Sequence, residues 1–115
     1  MINKLTFLFL LTLVFGCQKK VIPTQFTENE KLGREIYQKN CLVCHHPNPI
    51  ETGTVGPDLA DSSYELIYKR VTSLEYPTGY KPKRNTQLMP EFKHLSEPEI
   101  KALYEFIQAF QKANE

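Results

Sequence analysis

Reactive side chains cluster in the stretch Cys41-Leu42-Val43-Cys44-His45. A C-x-x-C-H run is typical of covalent c-type haem attachment, in which two thiols add to the haem vinyl groups and the following His becomes an axial iron ligand. Residues three apart lie on one face of a helical turn, so both sulfurs can reach the edge of one flat macrocycle. The motif therefore predicts one haem c, held by Cys41 and Cys44 and ligated by His45.

Two other sites can be built on a C-x-x-C pair. Structural zinc needs four ligands, and His46 and His94 are the further donors that the chain offers after its N-terminal segment. A thioredoxin-like redox pair is expected within a βαβ pattern, which the sequence does not contain. Haem attachment is the better interpretation, because the N-terminal segment described next also predicts export.

The N-terminal segment has the features of a bacterial export signal. Lys4 precedes an apolar run from Leu5 to Phe15, which is shorter than the roughly 20 residues that a transmembrane helix needs. The run ends in Leu13-Val14-Phe15-Gly16-Cys17, which resembles a lipobox, although Phe15 is bulkier than that pattern usually allows. Lipidation of Cys17 would account for the third cysteine; an ordinary signal peptide with an incidental Cys is the alternative.

These features predict three parts of the chain. Residues 1–16 are a signal peptide, residues 17–26 are a lipid-anchored tether, and residues 27–115 are a single domain. The predicted location is extracytoplasmic, on the periplasmic side, with the membrane contacted through the lipid at Cys17. A formal net charge of only +1 gives no indication of nucleic-acid binding.

Met89 is the candidate for the second axial ligand. It is the only methionine left once residues 1–16 are removed, and it stands immediately before Pro90 in a loop with several prolines. A methionine that merely packs in the core is one alternative. His46 and His94 are competing ligands, but His46 adjoins His45 and is badly placed to cross the ring.

Helical patterns dominate the rest of the chain. Three stretches have the spacing of a helix capping box: Thr27 to Glu30, Ser62 to Glu65 and Ser96 to Glu99. The first helix should end near Asn40 and the second near Leu74, whereas the third carries a wide apolar face. No strand pattern competes with them, so an all-α domain with long loops is predicted, and loops of such length need a functional reason.

Several residues in this order resemble the class I cytochrome c family. They are Gly33 and Tyr37, the C-x-x-C-H run, Gly56-Pro57-Asp58-Leu59, Met89-Pro90, and Leu103 with Phe106. The resemblance implies a small cytochrome c-like helical domain whose loops wrap around one haem, and a first and last helix that cross at Gly33. It also implies that Met89 ligates the iron and that the Pro57 carbonyl accepts the free N–H of His45, which agrees with the general behaviour of metal-bound histidines.

The predicted function is transfer of single electrons between respiratory-type redox partner proteins. Such a protein is an electron carrier and not an enzyme, either as a free shuttle or as a subunit of a larger oxidoreductase. A five-coordinate haem protein that binds a small gas or reduces peroxide is the alternative. A haem-free thiol oxidoreductase that uses Cys41 and Cys44 is a further one.

A local basic patch precedes Met89 in the same loop. Lys81, Lys83 and Arg84 place three positive charges within four residues. This patch could steer an acidic redox partner towards the haem edge, because charge complementarity mainly raises encounter rates. The alternatives are an ordinary solvated loop, or a loop in which Arg84 neutralises a haem propionate.

Overall fold

The computed structural model describes residues 16–85 and 88–115. It contains three helices, α1 (Glu28–Asn40), α2 (Tyr64–Thr72) and α3 (Glu97–Ala113), and no strand among the described residues. The all-α class is therefore confirmed. None of the helices in these two ranges is long and apolar enough to span a bilayer. The predicted signal peptide lies outside the described residues except for Gly16.

Helices α1 and α3 form the centre of the domain and cross at Gly33. A Cβ built on Gly33 would lie 2.8 Å from the Cβ of Phe106 and closer still to the carbonyl of Ala102. One turn later Tyr37 is completely buried, and its ring centroid is 5.4 Å from that of Phe106. Glycine at this crossing allows the two backbones to approach, as the resemblance implied.

The capping boxes predicted for α1 and α3 are both present. The Thr27 hydroxyl accepts the Glu30 N–H at 3.1 Å, and the Glu30 carboxylate accepts the Thr27 N–H at 2.8 Å. Ser96 and Glu99 exchange the same pair of bonds at the start of α3. A cap of this kind stabilises a helix by about 1 kcal/mol, so both helix starts are encoded locally.

The predicted cap of α2 was wrong, and the helix ends two residues before Leu74, near which its end was predicted. The helix is capped by Ser63, whose hydroxyl accepts the Leu66 N–H at 3.1 Å, and not by Ser62. Ser62 is buried instead, and its carbonyl accepts a hydrogen bond from the Gln108 side chain. Leu74 has a φ of 61°, which a right-handed helix cannot include, so α2 ends at Thr72.

The second half of the predicted tether lies against the domain. Val21 exchanges two hydrogen bonds with the Asn114 side chain, at 2.7 Å and 2.8 Å. Phe26 packs on Phe106 and Phe110, with ring centroids 5.7 Å and 6.0 Å apart. The segment from Val21 to Phe26 is thus in contact with the folded domain and does not extend freely from it.

Candidate functional site

A large cavity lies beside α3, enclosed by α2 and the loops. Its empty space is about 1060 Å³, part of which is open to solvent. Cys41, Cys44, His45 and Met89 all contribute to its lining. The structure therefore brings together, around one space, residues that lie up to half a chain apart.

The C-terminal end of α1 presents the two cysteines. Cys41 caps the helix, with its N–H bonded to the Tyr37 carbonyl at 2.8 Å. The chain then turns so that the N–H groups of Cys44 and His45 both bond to the Cys41 carbonyl, at 3.2 Å and 2.9 Å. The Tyr37 hydroxyl donates to the His46 carbonyl at 2.5 Å, which connects this turn to the helix crossing.

The chemistry of the thiols differs from that of a redox pair. Both cysteines are partly buried, and neither is joined in a disulfide in this structure. Burial raises the pKa of Cys41 to about 12, and the neighbouring Cys44 acts in the same direction. Reactive cysteines in C-x-x-C oxidoreductases have a lowered thiol pKa instead. The structure thus argues against the thiol oxidoreductase alternative.

His45 is held in one orientation by the loop that follows it. Its Nδ1 lies 3.0 Å from the Pro57 carbonyl oxygen. For Nδ1 to donate this bond it must carry the imidazole proton, which leaves the lone pair of Nε2 free to bind a metal. Burial lowers the pKa of His45; the bond to Pro57 opposes that shift, and the nearby Arg84 charge adds to it. The neutral imidazole needed in a ligand is therefore favoured.

Gly56 forms a flat support for the imidazole ring. A Cβ at this position would lie only 2.5 Å, 2.6 Å and 2.8 Å from three atoms of the His45 ring. The N–H of Gly56 bonds to the Cys44 carbonyl at 2.8 Å, which fixes the loop against the attachment motif. Sequence reasoning identified Gly56 only as part of the family resemblance, because the spacing alone does not reveal its contact with the ring.

Gly53, three residues before Gly56, packs against the same attachment motif. A Cβ there would lie 2.5 Å from the Cys44 carbonyl oxygen and 2.9 Å from the Cα of His45. The sequence prediction missed this contact. The signal available was a second glycine shortly after the motif, which marks a close backbone approach without naming its partner.

Met89 lines the same cavity as His45, although it lies 44 residues further along the chain. It is partly buried and packs against the hydrophobic core. Three residues later, the Phe92 N–H donates to the Val71 carbonyl at 2.8 Å, so the segment that carries Met89 is fixed to α2.

The two histidines that competed with Met89 make other contacts. His46 accepts the Asn48 N–H on Nδ1 at 3.0 Å, and its Nε2 is 3.3 Å from the Glu51 carboxylate. The His94 ring packs edge-on against Phe92. Neither is among the described residues that line the cavity, whereas Met89 is.

The basic patch is largely engaged within the chain. Lys83 forms an ion pair with Asp58 at 2.7 Å. Arg84 donates to the carbonyl oxygens of Val55 and Gly53 at 2.6 Å and 3.0 Å. Burial alone would raise the pKa of the Asp58 carboxyl, but the hydrogen bond and charge of Lys83 hold that pKa below its usual range. Lys81 and Lys83 are both exposed, whereas Arg84 is partly buried.

Cys17 is the one predicted site residue that lies apart from the cavity. It is exposed, in the segment that precedes Val21. The zinc alternative gains no support: within residues 16–85 and 88–115, no group of three or more His, Cys, Asp or Glu side chains could hold a metal ion.

The fold and the cavity together define a small c-type cytochrome domain. A family model described as cytochrome c oxidase, cbb3-type, subunit III matches residues 28–107, from the start of α1 into α3. No curated protein and no solved structure matched the chain significantly. The chain belongs to the cbb3-type subunit III family of c-type cytochrome domains. It is therefore a haem c electron-transfer protein, and its haem is covalently attached.

Proposed function

We propose that this protein is a mono-haem electron carrier in which Cys41 and Cys44 hold the haem and His45 and Met89 ligate its iron. The observation that supports this assignment is the common cavity, whose lining includes both thiols, the imidazole and the thioether. When bound, the haem supplies a one-electron couple between Fe(II) and Fe(III). The protein residues bind it, orient its ligands and exclude water.

Each ligand has a defined supporting contact. The Pro57 carbonyl fixes the proton of His45 on Nδ1, and Gly56 keeps the ring from turning. The bond from Phe92 to Val71 anchors the segment that brings Met89 to the cavity. A thioether opposite a neutral imidazole raises the reduction potential relative to ligation by two histidines. Both ligand positions on the iron would then be filled by the chain, which would leave no place for a substrate and supports a carrier rather than an enzyme.

The test is carbon monoxide binding to the ferrous protein. Wild type should show a reversible one-electron redox titration and should bind carbon monoxide poorly, because Met89 occupies the sixth position. Met89→Ala should retain the haem, bind carbon monoxide readily and have a lower reduction potential. Rapid binding to wild type would instead support the five-coordinate alternative. An unchanged spectrum and potential in Met89→Ala would assign the sixth position to another residue.

We propose that a lipid on Cys17 attaches the protein to a membrane on the periplasmic side. Val21 is fixed to Asn114, so residues 17–20 are the only part of the predicted tether ahead of that contact. Four extended residues reach about 14 Å at about 3.5 Å per residue. A lipid on Cys17 would therefore hold the haem domain close to the bilayer surface, where it would meet redox partners of the same membrane.

The family description supports one class of partner. Its printed name refers to subunit III of a cbb3-type cytochrome c oxidase. We infer that the partner is a membrane-bound terminal oxidase or a redox protein that donates electrons to one. Purification in mild detergent should recover the protein together with oxidase activity if it is a fixed subunit, and without that activity if it is a free shuttle.

A further inference from the structure

Two adjacent basic side chains link the loop before Met89 to the loop after His45. Lys83 donates to the Asp58 carboxylate at 2.7 Å and to the Ala60 carbonyl at 2.9 Å. Arg84 donates to the Val55 carbonyl at 2.6 Å and to the Gly53 carbonyl at 3.0 Å. We call Lys83 and Arg84 the basic clamp. Its partners all lie in residues 53–60.

The clamped loop is the one that orients His45. Gly53 and Gly56 pack against the backbone of the attachment motif and against the imidazole ring. The N–H groups of Val55 and Gly56 both bond to the Cys44 carbonyl, at 3.3 Å and 2.8 Å. Pro57 accepts the bond from His45. A shift of this loop would therefore change the position of the imidazole.

The two residues of the basic clamp lie shortly before Met89 in the sequence. Arg84 precedes Met89 by five residues, and Lys83, Arg84 and Met89 all line the same cavity. A planar guanidinium with several fixed donors can bond to successive carbonyl groups, which a single ammonium cannot do with the same geometry. Both cations are committed to loop 53–60, so they are poorly available to steer a partner.

We propose that Lys83 and Arg84 are positioning residues that hold the loop orienting His45 and the loop bearing Met89 in register with each other. This inference rests on the proposed ligation of iron by His45 and Met89. The hydrogen bonds of both residues go to loop 53–60, so each acts through the loop that it fixes. Breaking the clamp should therefore loosen the bond from Met89 to iron while leaving both thioether attachments intact.

The test is displacement of the sixth ligand by imidazole in the ferric holoprotein. The rate is followed through the far-red absorption band that accompanies ligation of Fe(III) by methionine. In Arg84→Gln, imidazole should displace Met89 at least about tenfold faster than in wild type. A tenfold change corresponds to about 1.4 kcal/mol. Lys83→Gln should change the rate in the same direction, and it serves as a second variant if Arg84→Gln does not fold. Amide hydrogen exchange at Gly56 should accelerate in both variants.

Two controls separate this role from a general loss of stability. Lys81→Gln removes an exposed charge from the same loop and should exchange ligands at the wild-type rate. Thr27→Ala removes the cap of α1 at the end remote from Cys41, which lowers global stability, and it should also leave the rate unchanged. Wild-type rates in both Arg84→Gln and Lys83→Gln, in a protein that shows the far-red band, would overturn the clamp alone. Absence of that band from wild type would overturn the Met89 assignment and the clamp with it.

Discussion

Gly56 shows how a residue without a side chain can determine the behaviour of a ligand. Its backbone lies close against the His45 ring, and the carbonyl of its neighbour Pro57 accepts a hydrogen bond from the Nδ1–H of that ring. The loop thus fixes both the plane of the imidazole and its tautomer. A metal ligand restrained in this way does not need to reorganise when the charge on iron changes, which suits a protein that transfers electrons.

Gly56→Ala should therefore affect both stability and the iron. The new Cβ would fall within 2.8 Å of three ring atoms, so either the loop or the imidazole must move. We expect a loss of roughly 1–3 kcal/mol in the free energy of unfolding, the usual cost of overpacking. Urea unfolding of the holoprotein measures this loss, and the reduction potential should shift as well.

Gly79→Ala is the matched control for this substitution. Gly79 has a φ of 78° but no atom within 4 Å of the position that a Cβ would take. Backbone strain should lower stability by about 1 kcal/mol, whereas the potential should stay at the wild-type value. Equal shifts of potential in the two variants would show that contact with His45 is not the cause.

The site residues differ in how far the sequence could predict them. The haem attachment motif is local, because all of its residues lie within one turn of the chain. It can therefore be recognised from the sequence alone, and it comprises Cys41, Cys44 and His45. Pro57 required the family resemblance, whereas Met89 was already a candidate as the only methionine left after residues 1–16 and gained support from that resemblance. The contacts of Arg84 could not be predicted, because they join carbonyl groups about 30 positions away, and the sequence carries no signal for backbone acceptors.

At the scale of elements, the crossing of α1 and α3 determines the shape of the domain. Their contact buries Tyr37, whose hydroxyl bonds to the attachment turn, so packing of the helices also positions the cysteines. Helix α2 contributes on the other side, where the Val71 carbonyl anchors the segment that carries Met89. Packing of the helices thus determines where the loops lie, and the loops carry the ligands.

Gly33→Ala tests this crossing. Helix propensity alone would make alanine more favourable than glycine by about 1 kcal/mol in the middle of a helix. The Cβ would instead clash with the Ala102 carbonyl, a backbone atom that cannot move unless α1 and α3 separate. We expect the variant to lose at least about 2 kcal/mol of unfolding free energy in urea. Any gain in stability would contradict the close approach of the helices.

The elements were predicted well where the signals are local and less well where tertiary contacts compete. The Thr27 and Ser96 boxes lie at the true starts of α1 and α3. Two serines stand next to each other at the start of α2; Ser63 is the cap, whereas Ser62 is buried. The spacing from Ser62 to Glu65 was coincidental. The end of α2 depends on the left-handed conformation of Leu74, which its residue type does not indicate.

At the scale of the whole molecule, the N-terminal segment connects the proposed anchor to the domain. It was predicted to be a tether throughout, because it has no periodic pattern. The structure instead fixes Val21 to Asn114, next to the last residue of the chain. Packing of Phe26 on Phe106 also could not be inferred from a single aromatic residue ahead of a capping box.

Cys17→Ser tests the anchor directly. A single acyl chain holds a protein on a membrane only marginally, whereas two or more hold it stably, at about 0.8 kcal/mol for each buried methylene. Wild type should therefore sediment with membranes after cell disruption. Cys17→Ser should be found in the soluble fraction or should retain its N-terminal segment. Recovery of wild type in the soluble fraction without detergent would contradict lipidation.

The most direct test of the account is the covalent link between the haem and the two cysteines. Wild type, the Cys41→Ala/Cys44→Ala double variant and Cys17→Ser should be exported in cells that assemble c-type cytochromes, then separated on a denaturing gel and stained for haem. The account predicts a stained band for wild type and for Cys17→Ser, because Cys17 lies outside the cavity. The double variant should show none. A stained band in the double variant, or none in wild type, would contradict attachment through Cys41 and Cys44.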